Sequence, residues 1–332
     1  MAEARLDVYG LDVALTGNWP EVIEAVRLDF EWFERRGDAE TPHVIIAIER
    51  QPPEFDAFGD LEAAFVTPRN VVYQDGARTV VDYFGRALSV LDRKTGELTL
   101  QGEDEQLVHE AAYLFLLSRV GEHLDALGLP RLHALGLSGA REGVAVMLPS
   151  GGGKSTLALR ALEDDGVRIL SEDSPLLDRR GRLRPFPLRI GINATDADRL
   201  PPERVRRIER MEFHPKLVLD LSSFGDRIQT QPTPLRHIVL GQRSLGCSAR
   251  LEPIPRRRAI GPLLRECVVG VGIYQGMEFV LQRGLRDALG MAGTASTRAA
   301  CCAAGMKDAR TWRLTLGRDH ERNWEALRPL LG

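Results

Sequence analysis

Hydrophobic positions in the first 130 residues follow strand and helix periods in turn. Residues 6–15 alternate as a β-strand does, and apolar residues in 20–36 recur every three or four positions, which predicts a helix. A long helical pattern over 104–127 closes this part of the chain. Together these patterns predict an N-terminal α+β lobe over residues 1–128. Short β-type runs lie between the helices, at 43–48, 64–67, 71–74, 79–83, 87–91 and 97–100.

The pattern changes in the second part of the chain. Residues 144–148 form a continuous apolar run, and a glycine-rich turn and a helix over 155–164 follow it. A second apolar run, 167–170, completes a strand–loop–helix–strand unit, which predicts two parallel strands. We therefore assign residues 129–332 to a second, α/β domain. Further strands are predicted at 216–221, 236–240 and 313–316, and further helices at 256–266 and 321–331.

Composition narrows the class of protein. The 332 residues are 43% hydrophobic and 27% charged, as in globular proteins. No apolar run reaches the ~18–20 residues that a membrane span needs, and the first ten residues lack the apolar core of a secretory leader. The four cysteines show no metal-ligand spacing, and adjacent Cys301 and Cys302 are typical of buried small hydrophobic positions. We expect a cytoplasmic protein with reduced cysteines and no membrane partner.

The net charge of −3 conceals a strong asymmetry. Residues 1–150 contain 13 Lys+Arg and 26 Asp+Glu, net −13, whereas residues 151–332 contain 31 and 21, net +10. Either the two halves face each other or a symmetry mate in a homo-oligomer, or the basic half holds an anionic ligand. The basic runs 204–207 and 256–258 have no interleaved aromatic residues, so nucleic acid is not an expected partner. A proline-flanked run such as 256–258 is usually a solvated loop.

The strongest chemical signal is the segment 148–156, Leu-Pro-Ser-Gly-Gly-Gly-Lys-Ser-Thr. It matches the end of the phosphate-loop pattern G-x-x-x-x-G-K-[ST], with Leu148 where the first glycine stands. Glycines let backbone N–H groups turn toward phosphate oxygens, and the start of the next helix adds positive potential. A glycine-rich helix cap with an incidental lysine is the alternative. The expected nucleotide-binding residues are Ser150, Gly151, Gly152, Gly153, Lys154, Ser155 and Thr156.

Three further side chains are candidates for the chemistry. Glu172 and Asp173 end the next apolar strand, at the edge where parallel sheets bind ligands. One carboxylate could hold Mg²⁺ and the other could accept a proton from an attacking hydroxyl, in either assignment; a solvated acidic turn is the alternative. His133 lies 21 residues before Lys154 in an apolar stretch, where a histidine is more often structural. Lys154 is placed to reach the β- and γ-phosphates, and the Ser155 hydroxyl to ligate Mg²⁺.

These features in this order resemble the HPr kinase/phosphorylase family and its kinase relatives. The resemblance covers about residues 131–193. It implies a phosphoenolpyruvate-carboxykinase-like P-loop nucleotide core with mixed sheets, and ATP and Mg²⁺ as cofactors. The chain departs from the family at Leu148, where the family has Gly, and at Glu172, where it has Asp. The catalytic set implied by the resemblance is Lys154, His133, Glu172 and Asp173, and the metal ligands are drawn from Ser155, Glu172 and Asp173.

The leading hypothesis is therefore an ATP- and Mg²⁺-dependent kinase that phosphorylates a hydroxyl on a protein or ribosomal peptide, Ser above all. Residues 184–188 support the peptide version, because they resemble shorter HPr-kinase-like proteins found with peptide-modification genes. Two alternatives remain open. One is a small-molecule kinase on the same core. The other is a nucleotide-gated module that holds a peptide or partner with little turnover, which Leu148 favours because it alters the loop.

Overall fold

A computed structural model of the chain describes residues 2–35, 41–149, 151–198, 200, 202–208, 215–269 and 285–332. The protein is a mixed α/β structure with several mixed sheets. No helix in these ranges is long and apolar enough to cross a membrane.

The strands and helices are numbered along the chain. The strands are β1 (Ala2–Val8), β2 (Leu11–Gly17), β3 (Val44–Arg50), β4 (Ala63–Val66), β5 (Val71–Asp75), β6 (Arg78–Asp82), β7 (Ala87–Asp92), β8 (Glu97–Gly102), β9 (Leu135–Ser138), β10 (Gly143–Met147), β11 (Arg168–Ser171), β12 (Leu176–Leu177), β13 (Arg182–Arg184), β14 (Ile190–Ile192), β15 (Val205–Ile208), β16 (Lys216–Leu219), β17 (Thr233–Arg243), β18 (Arg250–Pro253) and β19 (Arg310–Leu316). The helices are α1 (Pro20–Asp29), α2 (Glu105–Ala126), α3 (Lys154–Glu163), α4 (Ala194–Ala197), α5 (Arg257–Leu264), α6 (Leu285–Lys307) and α7 (His320–Leu327).

The described residues form two compact units. The first contains the chain up to Val120 together with the described part of 202–220, and the second contains the other described residues. The predicted domains were contiguous and met at residue 128, so the structure differs in grouping 202–220 with the N-terminal unit. A pattern of hydrophobicity along the chain cannot show that a later segment packs on an earlier one.

The first unit is built on an eight-stranded sheet in the order β1-β2-β3-β8-β7-β6-β5-β4. Its β2–β3 and β3–β8 pairs are parallel, and the other neighbours are antiparallel. The single strand predicted over 6–15 is wrong. Tyr9 and Gly10, at φ of 56° and 88°, turn the chain into a β1–β2 hairpin. Strand alternation continues through such a two-residue turn and so conceals it.

A buried ionic network attaches the β15–β16 hairpin to the helices of this unit. The Asp29 side chain is fully buried at the end of α1. It accepts a hydrogen bond from Arg206 of β15 at 2.8 Å and lies 2.8 Å from Nε2 of His109 in α2. Arg206 also donates to both carboxylate oxygens of Asp220, which follows β16. Arg206 is thus committed to two acids of its own chain, which removes the centre of the basic run 204–207 from the candidates for an anion site.

The second unit contains a sheet in the order β11-β9-β10-β17-β13-β12, and β17 also pairs with β19, which pairs with β18. The strands β10 and β11 run parallel, as predicted, because each is antiparallel to β9. They are not neighbours, since β9 lies between them. On its other side β10 is parallel to β17. The glycine-rich segment therefore leaves the sheet at an edge where β10, β11 and β17 all end.

The core of the second unit lies between this sheet and the helices α5 and α6. The sequence predicts a helix where α5 lies but none where α6 lies. Cys267, Cys301 and Cys302 are buried in it as free thiols, which confirms the interpretation of the adjacent pair as small hydrophobic positions. Burial raises the pKa of Cys301 to about 11. The arginine run 256–258 is exposed, as a solvated run would be, but Arg257 and Arg258 already belong to α5, within the helix predicted over 256–266.

Candidate functional site

The glycine-rich loop connects β10 to α3, and two of its glycines have identifiable structural reasons. Gly153 caps α3 at a φ of 108°, in the left-handed region that disfavours other residues. A Cβ at Gly152 would lie 2.7 Å from the carbonyl oxygen of Pro149, so a side chain there would collide with the backbone. The first N–H groups of α3 have no partner within the helix. The loop therefore presents backbone donors and a helix N-terminus, as phosphate binding requires.

Leu148, the departure from the phosphate-loop pattern, packs against a glycine of the neighbouring strand. The Leu148 side chain is buried, and a Cβ at Gly241 of β17 would lie only 2.2 Å from its Cδ2 atom. The absence of a side chain at Gly241 leaves room for the end of the leucine side chain. On the loop itself, a Cβ at Gly152 would lie 3.1 Å from Leu148 Cβ.

Lys154, the first residue of α3, is 7% exposed and lies among three acceptors. Its ammonium nitrogen Nζ is 2.7 Å from Nε2 of His133 and 3.1 Å from the carbonyl oxygen of Leu148. Asp173 Oδ1 lies 3.4 Å from the same nitrogen. The lysine, histidine and aspartate predicted from separate parts of the sequence therefore meet around one ammonium group.

Backbone pairing explains why His133 and Asp173 are neighbours. The segment before β9 runs beside the segment after β11, with hydrogen bonds from Ala134 N–H to Asp173 O at 3.1 Å and from Leu132 N–H to Pro175 O at 2.9 Å. Alternate N–H groups of a strand-like segment point to opposite sides, and the N–H of His133 donates to Glu266 O at 3.1 Å. The His133 side chain then lies with Nε2 3.2 Å from Asp173 Oδ1.

Ser155 and Glu172 form a second pair next to this cluster. The Ser155 hydroxyl donates to Glu172 Oε1 at 2.6 Å. Glu172 is 8% exposed, whereas the Asp173 side chain is 45% exposed. The two acids therefore have different surroundings: Glu172 lies beside the loop serine, and Asp173 beside the lysine and histidine while still facing solvent.

The charges of this cluster shift its ionisation. Burial disfavours the charged form of Asp173, but a hydrogen bond from the protonated His133 ring and the charge of Lys154 outweigh it and lower the pKa of Asp173 to about 2. The hydrogen bond that the protonated ring donates from Nε2 to Asp173 raises the pKa of His133, against the opposing effects of burial and of Lys154. Asp173 is accordingly an ionised acceptor across the physiological pH range.

Of the other predicted nucleotide-binding residues, Gly151 is exposed in the loop at a φ of 71°, and Thr156 is half-buried in the first turn of α3. Ser150 lies outside the described residues. No group of three or more His, Cys, Asp or Glu side chains in the described ranges is arranged to hold a metal ion.

Sequence reasoning missed two residues of this site. Arg243 ends β17, and its Nη1 atom would lie 3.5 Å from a Cβ at Gly153, so its guanidinium adjoins the loop. The available signal was an arginine after an apolar strand, but the predicted strand stopped at residue 240. Glu266 contacts His133 with both its backbone and its side chain. It follows helix α5, 133 residues beyond His133, and no spacing in the sequence connects the two.

Comparison of the sequence with protein-family models and with curated proteins finds no match. The case for a function therefore depends on the geometry of the site.

Proposed function

We propose that the protein is a cytoplasmic ATP- and Mg²⁺-dependent kinase that phosphorylates a hydroxyl, Ser above all, on a protein or ribosomal peptide. In this proposal the second unit is a P-loop core of the phosphoenolpyruvate-carboxykinase type, as in the HPr kinase-like proteins that the sequence resembles. One observation carries the proposal. Three sequence features more than 15 residues apart meet at one sheet edge, where Lys154 Nζ lies 2.7 Å from His133 and 3.4 Å from Asp173.

The loop and the lysine would hold the transferring phosphates. Phosphoryl transfer depends mainly on positioning and on neutralising charge on the phosphate oxygens. Lys154 supplies one positive charge, and the free N–H groups at the start of α3 supply directed donors. Arg243 adds a second positive charge, its guanidinium, beside Gly153.

The donors present fit Mg²⁺. The Ser155 hydroxyl and the Glu172 carboxylate are hard oxygen ligands whose oxygens lie 2.6 Å apart. Mg²⁺ in phosphate-transfer enzymes binds to one or two carboxylates and completes its coordination with substrate phosphates and water, so a larger protein cluster is not needed. Ser155 and Glu172 would hold the ion, which when bound neutralises charge on the phosphates.

In this proposal Asp173 receives the acceptor hydroxyl, and Glu172 is left to hold the metal. Its carboxylate faces solvent and stays ionised, so it can accept the hydrogen bond of an incoming hydroxyl. The hydroxyl oxygen then forms a bond to the γ-phosphorus, and its proton passes to the Asp173 carboxylate. The bond from that phosphorus to the β,γ-bridging oxygen breaks, and its electron pair remains on ADP.

The packing of Leu148 favours a kinase over a nucleotide-gated binding module. The leucine was the feature that favoured the binding module, because it replaces a loop glycine. The close approach of its side chain to Gly241 of β17 accounts for the leucine as a packing residue. The acceptor's size is argued only from the resemblance of residues 184–188, so the experiment has to identify the acceptor.

The test compares wild type, Lys154→Ala and Lys307→Ala in a dialysed lysate of the source cells with Mg²⁺ and γ-labelled ATP. Lys307 is an exposed lysine of α6 and serves as the matched control. We expect a labelled protein or peptide band with wild type and Lys307→Ala and none with Lys154→Ala. Label in a small metabolite alone, after metabolites are added back, would replace the protein acceptor with a small molecule. Absence of nucleotide binding in the wild type would overturn the proposal.

A further inference from the structure

Glu266 lies outside every motif of the sequence, yet it holds His133 by two separate contacts. It belongs to a π-helical turn, Arg265–Val269, that continues α5. Single π-helical turns within helices occur frequently at functional sites. The Glu266 carbonyl accepts the His133 N–H at 3.1 Å, and its Oε2 atom lies 3.0 Å from His133 Nδ1. One residue thus fixes both the backbone and the ring of the histidine.

The chemistry of the carboxylate sets the direction of this hydrogen bond. An ionised carboxylate only accepts, so Nδ1 of His133 must carry the hydrogen that it shares with Glu266. In the neutral ring Nε2 then has a free lone pair. Lys154 Nζ lies 2.7 Å from Nε2, and an ammonium group only donates. The hydrogen bonds therefore run in one direction, from Lys154 to His133 to Glu266, and bonds in such a chain polarise and strengthen one another.

This chain of hydrogen bonds positions the ammonium group of Lys154. Its three acceptors are His133 Nε2 at 2.7 Å, Leu148 O at 3.1 Å and Asp173 Oδ1 at 3.4 Å, and the histidine contact is the shortest. The opposite tautomer would direct its Nε2–H to Asp173 Oδ1, 3.2 Å away, and would lose the contact with the ammonium. The free end of Glu266 is also fixed, because Oε1 accepts from Arg265 Nε at 2.9 Å.

We propose that Glu266 is a positioning residue for the phosphate loop: it selects the Nδ1–H tautomer of His133, and His133 then holds the Lys154 ammonium over the loop. The role parallels that of the carboxylates that orient metal-ligating histidines, whose removal lowers affinity or activity about 10–100-fold. The kinetic part of the test rests on the proposed function, whereas the tautomer part does not.

The direct test reads the tautomer by NMR of ¹⁵N-histidine-labelled protein at about pH 9, where an ordinary imidazole is neutral. His133→Gln identifies the His133 signals. We expect the Nδ1–H form in the wild type. In Glu266→Gln the amide can donate to Nδ1, so we expect the Nε2–H form to appear. Glu142→Gln is the matched control, because Glu142 pairs with another histidine of the same sheet, His237, at 2.8 Å.

The kinetic test uses the same variants with the acceptor found by labelling. Glu266→Gln should lower kcat by about 10–100-fold and change KM for ATP far less, because Lys154 itself remains. Glu266→Asp keeps the carboxylate and should recover part of kcat, and Glu142→Gln should match the wild type. If Glu266→Asp and Glu266→Gln lower kcat equally, the carboxylate is not what the role requires.

Two results would overturn the inference without depending on how a variant folds. One is the Nε2–H tautomer of His133 in the wild type. The other is an unchanged tautomer and kcat in Glu266→Gln. If the wild type transfers no phosphate but its His133 tautomer depends on Glu266, the kinase proposal fails and the selection of the tautomer by Glu266 stands.

Discussion

Leu148 and Gly241 show how one residue's environment changes the meaning of a motif. The phosphate-loop pattern has glycine where Leu148 stands, so the sequence alone indicates an altered loop. The structure places the end of the leucine side chain against the neighbouring strand, where residue 241 is glycine. The absence of a side chain at residue 241 therefore makes room for the leucine.

This contact predicts that Gly241→Ala is harmful. The added Cβ would lie 2.2 Å from Leu148 Cδ2, so the leucine and the loop behind it must shift. We expect a loss of about 1–3 kcal/mol in unfolding free energy and weaker nucleotide binding, measured by urea unfolding and by titration. The double variant Gly241→Ala/Leu148→Ala should recover nucleotide binding. Gly261→Ala, whose Cβ meets nothing within 4 Å, is the control; equal effects at both glycines would refute the explanation.

The different surroundings of the two acids predict different kinetic defects. Asp173→Asn removes the acceptor of the hydroxyl proton and should lower kcat about 10²–10⁴-fold without changing the Mg²⁺ dependence. Glu172→Gln weakens the pair with Ser155 and should raise the Mg²⁺ concentration needed for half-maximal rate about tenfold. Steady-state rates across a Mg²⁺ series separate the two. The assignment is wrong if both variants shift the Mg²⁺ dependence equally.

Among elements, the β15–β16 hairpin depends on buried charges for its attachment to the first unit. The Asp29 side chain is completely buried and is held by Arg206 and His109. A buried charge that loses its partner is strongly destabilising, whereas an exposed pair contributes little. The basic run 204–207, which composition associates with an anionic ligand, contributes Arg206 to this attachment instead.

We therefore expect Arg206→Met to lower the unfolding free energy by about 3–5 kcal/mol, because Asp29 is left buried without its guanidinium partner. Arg27→Met breaks pairs with Glu24 and Glu34, which are more exposed acids, and should have an effect of about 1 kcal/mol or less. Urea unfolding of both variants measures the difference. Similar losses in the two variants would show that the buried network does not hold the hairpin.

For the whole molecule, several acids stabilise the folded state only while ionised. Asp178 is an example: burial opposes its ionisation, but hydrogen bonds from Arg182 and Arg184 outweigh burial and lower its pKa. A lowered folded-state pKa adds stability above the unfolded-state pKa, and that stability is lost as the pH falls. The acids with lowered pKa values are Glu24, Asp104, Asp164, Asp173 and Asp178.

The protein should therefore keep its stability from neutral pH down to about pH 4 and lose it progressively below that. Asp178→Asn should be less stable at neutral pH and should show a shallower decline in acid, because it has one fewer ionised acid to protonate. Urea unfolding from about pH 7 to about pH 2 tests both statements. Asp308→Asn, at an exposed acid, should follow the wild type; a parallel decline of Asp178→Asn and wild type would contradict the prediction.

The local features of this protein could be predicted from its sequence. Periodicity located β10, α3 and β11, because apolar spacing records which face of an element is buried. The run Gly-Gly-Gly-Lys-Ser located the loop between them, because glycine occurs where the backbone adopts conformations or close contacts that a side chain would prevent. Lys154, His133 and the pair Glu172-Asp173 were identified from their order along the chain.

How these residues divide their roles depends on the way the chain folds in three dimensions. Whether Glu172 or Asp173 faces Ser155 depends on how the chain turns after β11, and that turn is fixed by pairing with the segment before β9. Arg243 and Glu266 reach the site from elements that lie far from the loop along the chain, and no spacing in the sequence indicates the contact. Local periodicity reflects which face of each element is buried. The site depends on which elements become neighbours, and that depends on packing across the whole unit.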